Sequence, residues 1–521
     1  MNKATNLSIL ALCAGLLTAC GGGPAGRQTA APPVDPVIGH SDQHANLCAP
    51  ENPLARGASG HLLDGYRVGS VETEQRFVRA YMNEAYLWYR EMPEVNPAAP
   101  RYRRSPFQEA ITSYFQDLRT QALSATDKPK DRFSFATSTM EWKALSEAGV
   151  QHGYGADIAV LSGTPPRDLR VALVHEGTPA AVQQLSRGDR LLTLRTPGGR
   201  RIDVVNTTDP AEIEEMTRLI FEPRDGEQVQ MEFGRAGGDV VSAGLKAGEY
   251  EQLSVHTARS IETPQGDEVG YLVVKSFNLP LEGQLQKALT ALKDKGVKDV
   301  VLDLRYNGGG YLYQSAQLGY MLADPSLTQG RVFERLQYND KRSEDSGRSD
   351  STIRFLSTAT GREGTGTRAG AALPNLGLRR LYVLTGADTC SASESLINGL
   401  RGVDMEVVLI GQTTCGKPYG FTARDNCGMS YFPIEFVGVN AKGFGDFDDG
   451  FTPDCVVPDD FGHQLGNAQE GLLAAALYHR QHGVCPVGTQ GVTKSLMSAA
   501  PGAVVPKLVR GPLHTSKFLL P

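Results

Sequence analysis

The chain has 521 residues, of which 40% are hydrophobic and 21% charged, and a formal net charge of −6. The length leaves room for roughly three domains, and the composition is that of a soluble globular protein. A nucleic-acid binder would need a basic patch or stripe, and the mild acidity argues against that class.

Lys3 precedes a short apolar stretch, Leu7 to Leu17, and then come Leu17-Thr18-Ala19-Cys20 and Gly21-Gly22-Gly23. The stretch is too short to remain as a spanning helix. It resembles a bacterial lipoprotein signal over residues 1–19. The resemblance implies lipidation of Cys20 and, because Gly21 is not Asp, outward sorting. The expected location is the cell envelope, facing the periplasm and tethered to the outer rather than the cytoplasmic membrane. Residues 20–45, rich in Gly, Ala and Pro, read as a flexible tether.

From Thr73 the pattern turns helical. Phe77, Tyr81, Ala85 and Trp88 recur on one face and Pro93 stops the run. A second helix is expected over about 106–123. Together they make a small helical N-terminal module, residues 46–147, whose aromatics read as core.

Residues 148–240 read differently. Val171-Ala172-Leu173-Val174 is a strand, Gly177-Thr178-Pro179-Ala180-Ala181 a turn into a short helix, and Gly188-Asp189-Arg190-Leu191-Leu192 a turn into a strand. The phrase resembles that of PDZ domains. By that resemblance Gly153, Tyr154, Gly155 and Ala156 stand at the carboxylate-binding loop, beside a sheet edge that takes a peptide as an added strand.

From about residue 241 to 485, strands alternate with helices: Gly270–Val274, a helix stripe at Leu285, Ala288, Leu289 and Leu292, then Asp299–Leu304, Leu381–Thr385, a helix through Leu400, and Val407–Ile410. This predicts an α/β core with parallel pairing. Residues 335–370, polar and Gly-rich, read as an exposed insertion, and residues 486–521 as a disordered tail.

Three loops follow buried strands of this core. They are Asp303-Leu304-Arg305-Tyr306-Asn307-Gly308-Gly309-Gly310, Cys390-Ser391-Ala392-Ser393-Glu394 and Gly411-Gln412-Thr413-Thr414-Cys415-Gly416-Lys417. Open α/β sheets keep their sites at such strand ends. The glycines let backbone amides approach a ligand. Ser391 stands at a predicted helix start, where free amides and the positive dipole end favour an oxyanion. Lys417, if buried, has its pKa lowered and becomes able to take a proton from a serine hydroxyl.

Three motifs in this order, DLRxNxGG, SASE and GxxTxGK, with Ser391 and Lys417 26 positions apart, resemble the C-terminal-processing (tail-specific, tricorn-core-like) serine peptidases. The resemblance runs over roughly residues 70–480. It implies a multidomain α/β fold: the helical module, a PDZ-like β-rich domain and a crotonase/ClpP-like, β-spiral peptidase core. It further implies a Ser391 nucleophile, a Lys417 base, and an oxyanion hole from the amides of Ala392 and of Gly308 or Gly309. No metal or cofactor is implied. The expected partners are polypeptide substrates in the envelope and an envelope adaptor protein. The rival readings are a non-catalytic binding module and an acyl-CoA enzyme on the same scaffold.

One departure concerns the position four after the lysine. Many members carry Gln there, whereas this chain has Phe421. Glu394 is then the candidate orienter of the lysine, with Asp404 behind it. The six cysteines beyond Cys20 favour disulfides in an exported chain. Cys390–Cys415 would tie the two catalytic loops together and make activity sensitive to reduction, while Cys415–Cys427 is the rival pair. No paired C-x-x-C spacing suggests zinc. Asp446, Asp448, Asp449 and Asp454 imitate the start of an EF-hand loop, but Val457 stands where its bidentate Glu belongs.

Overall fold

The structure, a computed structural model, describes residues 39–487 and 507–508. Its elements belong to the compact unit beginning at His40. The signal segment, Cys20 and most of the tether and tail lie outside the described residues. Among the described residues, no helix is long and apolar enough to cross a membrane.

Helix α1 (Val71–Ala85) opens with a capping box in which Ser70 and Thr73 bond each other's amides, and buries Phe77, Val78, Tyr81 and Ala85. It ends before Trp88, short of the periodic run. Tyr86 is extended there: its hydroxyl donates to Asp131 at 2.7 Å, and the Leu87 amide donates to the Ile434 carbonyl at 2.7 Å. Tertiary partners thus win over helix propagation. Helix α2 (Phe107–Asp117) packs behind it, and strand β1 (Phe135–Ser138) pairs with residues 429–432. The aromatic cluster of these elements is shared with Phe421, Met429, Tyr431 and Phe432 from far along the chain.

Next comes a mostly antiparallel sheet. In chain order this region holds β2 (Val150–Gly153), β3 (Ala156–Ser162), β4 (Asp168–Val174), β5 (Arg190–Arg195), helix α3 (Pro210–Phe221), β6 (Gln228–Gly234), β7 (Val240–Lys246) and β8 (Gly248–Glu251), of which β2 and β8 form a two-stranded sheet of their own. The sheet order is β7-β6-β5-β4-β3, and β2 pairs with β8 alongside. The inner faces and α3 enclose one apolar core around Val171, Leu191, Leu194, Leu219 and Phe233.

The C-terminal part of the chain holds β9 (Val255–Glu262), β10 (Glu268–Val274), helix α4 (Leu281–Asp294), β11 (Asp299–Asp303), helix α5 (Leu312–Leu322), β12 (Val332–Tyr338), β13 (Arg380–Thr385), helix α6 (Ala392–Gly402), β14 (Glu406–Gly411), β15 (Met429–Phe432), β16 (Phe436–Val439), β17 (Cys455–Val456) and helix α7 (Gly471–His482), centred on a six-stranded sheet. Its order is β9-β10-β11-β13-β14-β17, parallel from β10 onward. The strands are apolar on both faces, as parallel sheets require. Leu272, Val300, Leu302, Val383 and Leu409 face α4, α5 and α6, whereas Tyr271, Val301, Tyr382, Val408 and Ile410 face α7. Each fully buried Leu or Val there contributes about 1.5–3 kcal/mol. β12 and β16 pair in a separate antiparallel sheet.

Residues 335–370 are less exposed than their polarity suggests. Phe355, Ala359 and Thr365 are buried, and the Glu282 carboxylate of α4 accepts bonds from the Thr360 amide and hydroxyl. Satisfied polar anchoring, invisible to a hydropathy pattern, holds the segment down.

Candidate active site

The C-terminal ends of β11, β13 and β14 carry the three sequence motifs and bring them together. The first is fixed by ion pairs. Arg305 is wholly buried and reaches Asp303, Asp459 at 2.8 Å and Glu470 at 2.7 Å, so the Asp and Arg of the motif anchor the loop. Asn307 shapes the turn. Its side chain donates to the Val274 carbonyl at 2.9 Å and accepts from the Gly309 amide at 2.8 Å, while its carbonyl accepts from the Cys390 amide at 3.0 Å.

Gly309 has φ +101°, and a β-carbon on it would stand 2.8 Å from that of Ser391 and 3.1 Å from the Ala392 nitrogen. Only glycine allows this approach. The glycine loop therefore lies directly against the serine turn. The Gly309 amide is already bonded to Asn307, which leaves Gly308 as the loop's candidate oxyanion donor, beside Ala392.

Ser391 precedes α6 with φ +57° and ψ −116°, a conformation sparsely used by non-glycine residues and costing about 1–3 kcal/mol. The surroundings hold it there. Its amide donates to Glu394 at 3.0 Å, its carbonyl accepts from the Ser395 amide at 2.8 Å, and Cys390 is disulfide-bonded to Cys415. The remaining pairs are Cys48–Cys427 and Cys455–Cys485, so Cys415–Cys427 does not form.

Glu394 is the hinge between the serine turn and the base loop. Besides the Ser391 amide, its carboxylate accepts from the Thr414 hydroxyl at 2.5 Å and from the amides of Gly416 and Lys417, both at 2.8 Å. Burial pushes its pKa up, and these donated bonds pull it back. Gly416 has φ +81° and packs so closely on the Asp448 carbonyl that a β-carbon would stand 2.1 Å from that oxygen.

Lys417 is 1% exposed and Ser391 3%. The Lys417 amine lies 4.1 Å from the centroid of the Phe421 ring and 5.4 Å from that of Phe133. Burial holds its pKa well below the usual lysine range; the negative charges of Asp131 and Glu394 partly oppose that. The position of the family's glutamine thus presents an aromatic face to the amine.

Local sequence reading missed the N-terminal contribution. Asp131 is buried, and its carboxylate accepts from the amides of Phe133 at 3.1 Å and Ser134 at 2.9 Å and from the Tyr86 hydroxyl. Arg132 donates to the carbonyls of Cys415, Gly416 and Asp448, clasping the base loop from outside. No motif marks residues 131–133; the pairing of β1 with β15 brings them there. Asp404 is elsewhere, exposed and bonded to Lys442. Asp449 of the acidic segment pairs with Lys128, and Asp454 accepts from the Leu409 amide. Gly153, Tyr154, Gly155 and Ala156 lie on the other sheet, between β2 and β3.

Three loops converge at the strand ends of this sheet, and comparison with known families shows what the chain is similar to. Residues 268–430 match the model of peptidase family S41, and residues 73–135 match the peptidase S41 N-terminal domain. Relatives include the carboxyl-terminal-processing protease of Synechocystis sp., 26% identical over 52% of this chain and 54% of its own length. Carboxy-terminal processing protease CtpA of Bacillus subtilis is 23% identical over 52% of this chain and 48% of its own. The crystal structure of an S41-family protein from Bacteroides fragilis NCTC 9343 superposes with a TM-score of 0.57 at 25% identity, covering 78% of this chain and 97% of that one. The chain carries peptidase family S41 domains and is similar to C-terminal-processing proteases. It spans about half the length of the curated relatives it matches.

Proposed function

We propose that this chain is an exported serine endopeptidase that hydrolyses peptide bonds in envelope proteins through an acyl-enzyme. The observation that carries the proposal is a wholly buried lysine, Lys417, whose loop shares one carboxylate, Glu394, with the turn of Ser391. Burial lowers the pKa of its amine and so favours the neutral form that a general base needs.

In this reading the Ser391 hydroxyl attacks the peptide carbonyl while its proton passes to the Lys417 amine. The carbonyl oxygen becomes an oxyanion that accepts from the amides of Ala392 and Gly308. Collapse breaks the C–N bond, and the protonated Lys417 gives its proton to the leaving amine. Water then loses a proton to Lys417 and hydrolyses the ester, returning the proton to Ser391. Glu394 and Asp131 act as positioning residues. The core sheet is read as crotonase/ClpP-like.

The sheet of residues 150–251 is read as a PDZ-like domain that recognises or gates substrate tails. Support comes from its ties to the glycine loop: Arg187 donates to the Tyr306 hydroxyl at 2.8 Å and to Asp459 at 2.6 Å, and Lys275 pairs with Asp157. Export and lipid anchoring at Cys20 are supported by the Leu17–Cys20 phrase and by the pairing of all six described cysteines, a habit of oxidising compartments. An adaptor protein is a further proposed partner.

The test is casein cleavage by the protein starting after Cys20, beside Ser391→Ala and Lys417→Ala. Wild type is expected to cleave, and both folded variants to lose nearly all activity. Inert wild type, or a variant as active as wild type, would favour a binding module instead.

A further inference from the structure

A cleft of about 810 Å³ lies between the N-terminal module and the antiparallel sheet, within the size range of ligand clefts. Helix α2, strand β1 and residues 140–145 supply one side, and β2, β8 and the end of α3 the other. Its apolar lining includes Phe135 and Leu145, both buried, with Val150 and Phe221 beside them. Met140 also lines it and is 76% exposed, a large apolar side chain left facing the cleft.

The charged lining is of one sign. Glu109 comes from α2, Glu141 follows β1, Glu222 follows α3 and Glu249 belongs to β8, while no Lys or Arg lines the cleft. Across the whole chain 52 basic residues nearly balance 58 acidic ones, so four acids facing no base is a local imbalance. Among the described residues none of the four is ion-paired, and Glu141 only accepts from the Thr137 hydroxyl at 3.1 Å. His152, the remaining titratable lining residue, lies 3.6 Å from Asp225. Carboxylates gathered in a cleft with apolar walls focus a negative potential. The complementary ligand carries cations and apolar groups together, and Lys and Arg side chains supply both, a charged head on an aliphatic stem.

The surroundings suit an extended chain. β2 and β8 pair only with each other, so among the described residues each keeps one edge without a neighbouring strand. The cleft also adjoins the groove at the Gly153–Ala156 turn, since Gln151, His152, Phe221 and Pro223 line both. That groove is largely polar, and Tyr154 in it is 6% exposed with a hydroxyl that has no hydrogen-bond partner among the described residues. On its other side the cleft approaches the base. The ring of Phe135 is 5.7 Å from that of Phe421, which lies 4.1 Å from the Lys417 amine.

We infer that this cleft docks a segment of the substrate polypeptide rich in basic and apolar side chains, apart from any tail held at the Gly153–Ala156 turn. The inference rests on reading the chain as one that acts on polypeptides, and it adds the class of polypeptide that is favoured.

The experiment measures binding in the Ser391→Ala background, so its outcome does not depend on turnover. A fluorescein-labelled peptide alternating Lys and Leu is titrated by anisotropy, beside the same peptide with Gln for every Lys. The hosts are the chain starting after Cys20, a cleft variant with Glu109→Gln, Glu141→Gln, Glu222→Gln and Glu249→Gln, and a control variant. The control carries Asp239→Asn, Glu262→Gln, Glu344→Gln and Glu363→Gln, exposed positions outside the cleft that change the net charge equally. Each exposed ion pair contributes roughly twofold, so the cleft variant is expected to bind the Lys peptide about tenfold more weakly or worse. The control variant should bind it as the parent does, and the Gln peptide should bind weakly to all three. Added salt should narrow the gap between parent and cleft variant. Equal affinity of parent and cleft variant for the Lys peptide would overturn the inference. So would an equal loss in both variants, because net charge and not the cleft would then be responsible. A Lys peptide that binds the parent no better than the Gln peptide would overturn it too. Casein left uncut by the wild type, with this binding pattern intact, would count against the peptidase reading and not against the cleft.

Discussion

In the proposed mechanism Lys417 acts as the base, and its surroundings set its basicity. Its amine is enclosed by Phe421 and Phe133, and the charges of Asp131 and Glu394 favour the protonated form against the effect of burial. In that mechanism the active form is the neutral amine, so kcat/KM should rise with pH through the lowered pKa and then level off. Asp131→Asn removes a charge that raises that pKa. The acid limb should therefore move to lower pH, a displacement that simple loosening of the fold would not produce. An unmoved limb, or one moved upward, would show that Asp131 does not act on the base. Ser391, Lys417 and Glu394 are legible in the sequence because each lies in a local strand–loop or loop–helix phrase. The role of Glu394 is legible only in part. Its position suggests an orienter of the amine, whereas its carboxylate gathers three backbone amides and the Thr414 hydroxyl. Asp131 lies 286 positions before Lys417, and no spacing rule joins them.

At the level of elements, the site depends on two crosslinks between loops. The Cys390–Cys415 disulfide joins the residue before Ser391 to the loop of Lys417, and Glu394 joins the same loops by hydrogen bonds. Replacing both cysteines by Ala should leave the fold intact, since Cys48–Cys427 and Cys455–Cys485 remain. It should lower kcat by about 10- to 100-fold, because small misplacements of reacting groups are costly. Full kcat in that variant, or in wild type under reductant with Cys390 and Cys415 free, would show the link to be catalytically idle. The core strands are readable from their apolar runs. The end of α1 is not, because the Leu87 amide and Tyr86 hydroxyl are drawn to Ile434 and Asp131, partners that periodicity does not see.

Across the whole molecule, the described domains are bound by buried charge. Arg305 holds Asp303, Asp459 and Glu470, and Asp459 also meets Arg187 of the antiparallel sheet. Arg305→Met would leave buried carboxylates without their cation, with an expected loss of about 3–5 kcal/mol. The denaturant midpoint should fall with little change in slope; a shift worth under about 1 kcal/mol would contradict this account. The N-terminal helices likewise share an aromatic core with residues 421–434. Composition could indicate several domains, but not that elements hundreds of residues apart complete one another's cores. The central claim, a buried neutral lysine activating Ser391, is tested most directly by the rate at which a fluorophosphonate labels Ser391, mapped by mass spectrometry, as a function of pH. Wild type should label along a single rising curve with its midpoint well below the ordinary lysine range. Lys417→Arg, whose guanidinium does not deprotonate, should label slower by about 10²–10⁴-fold at every pH. Labelling of Lys417→Arg within a few-fold of wild type, along the same curve, would contradict the account.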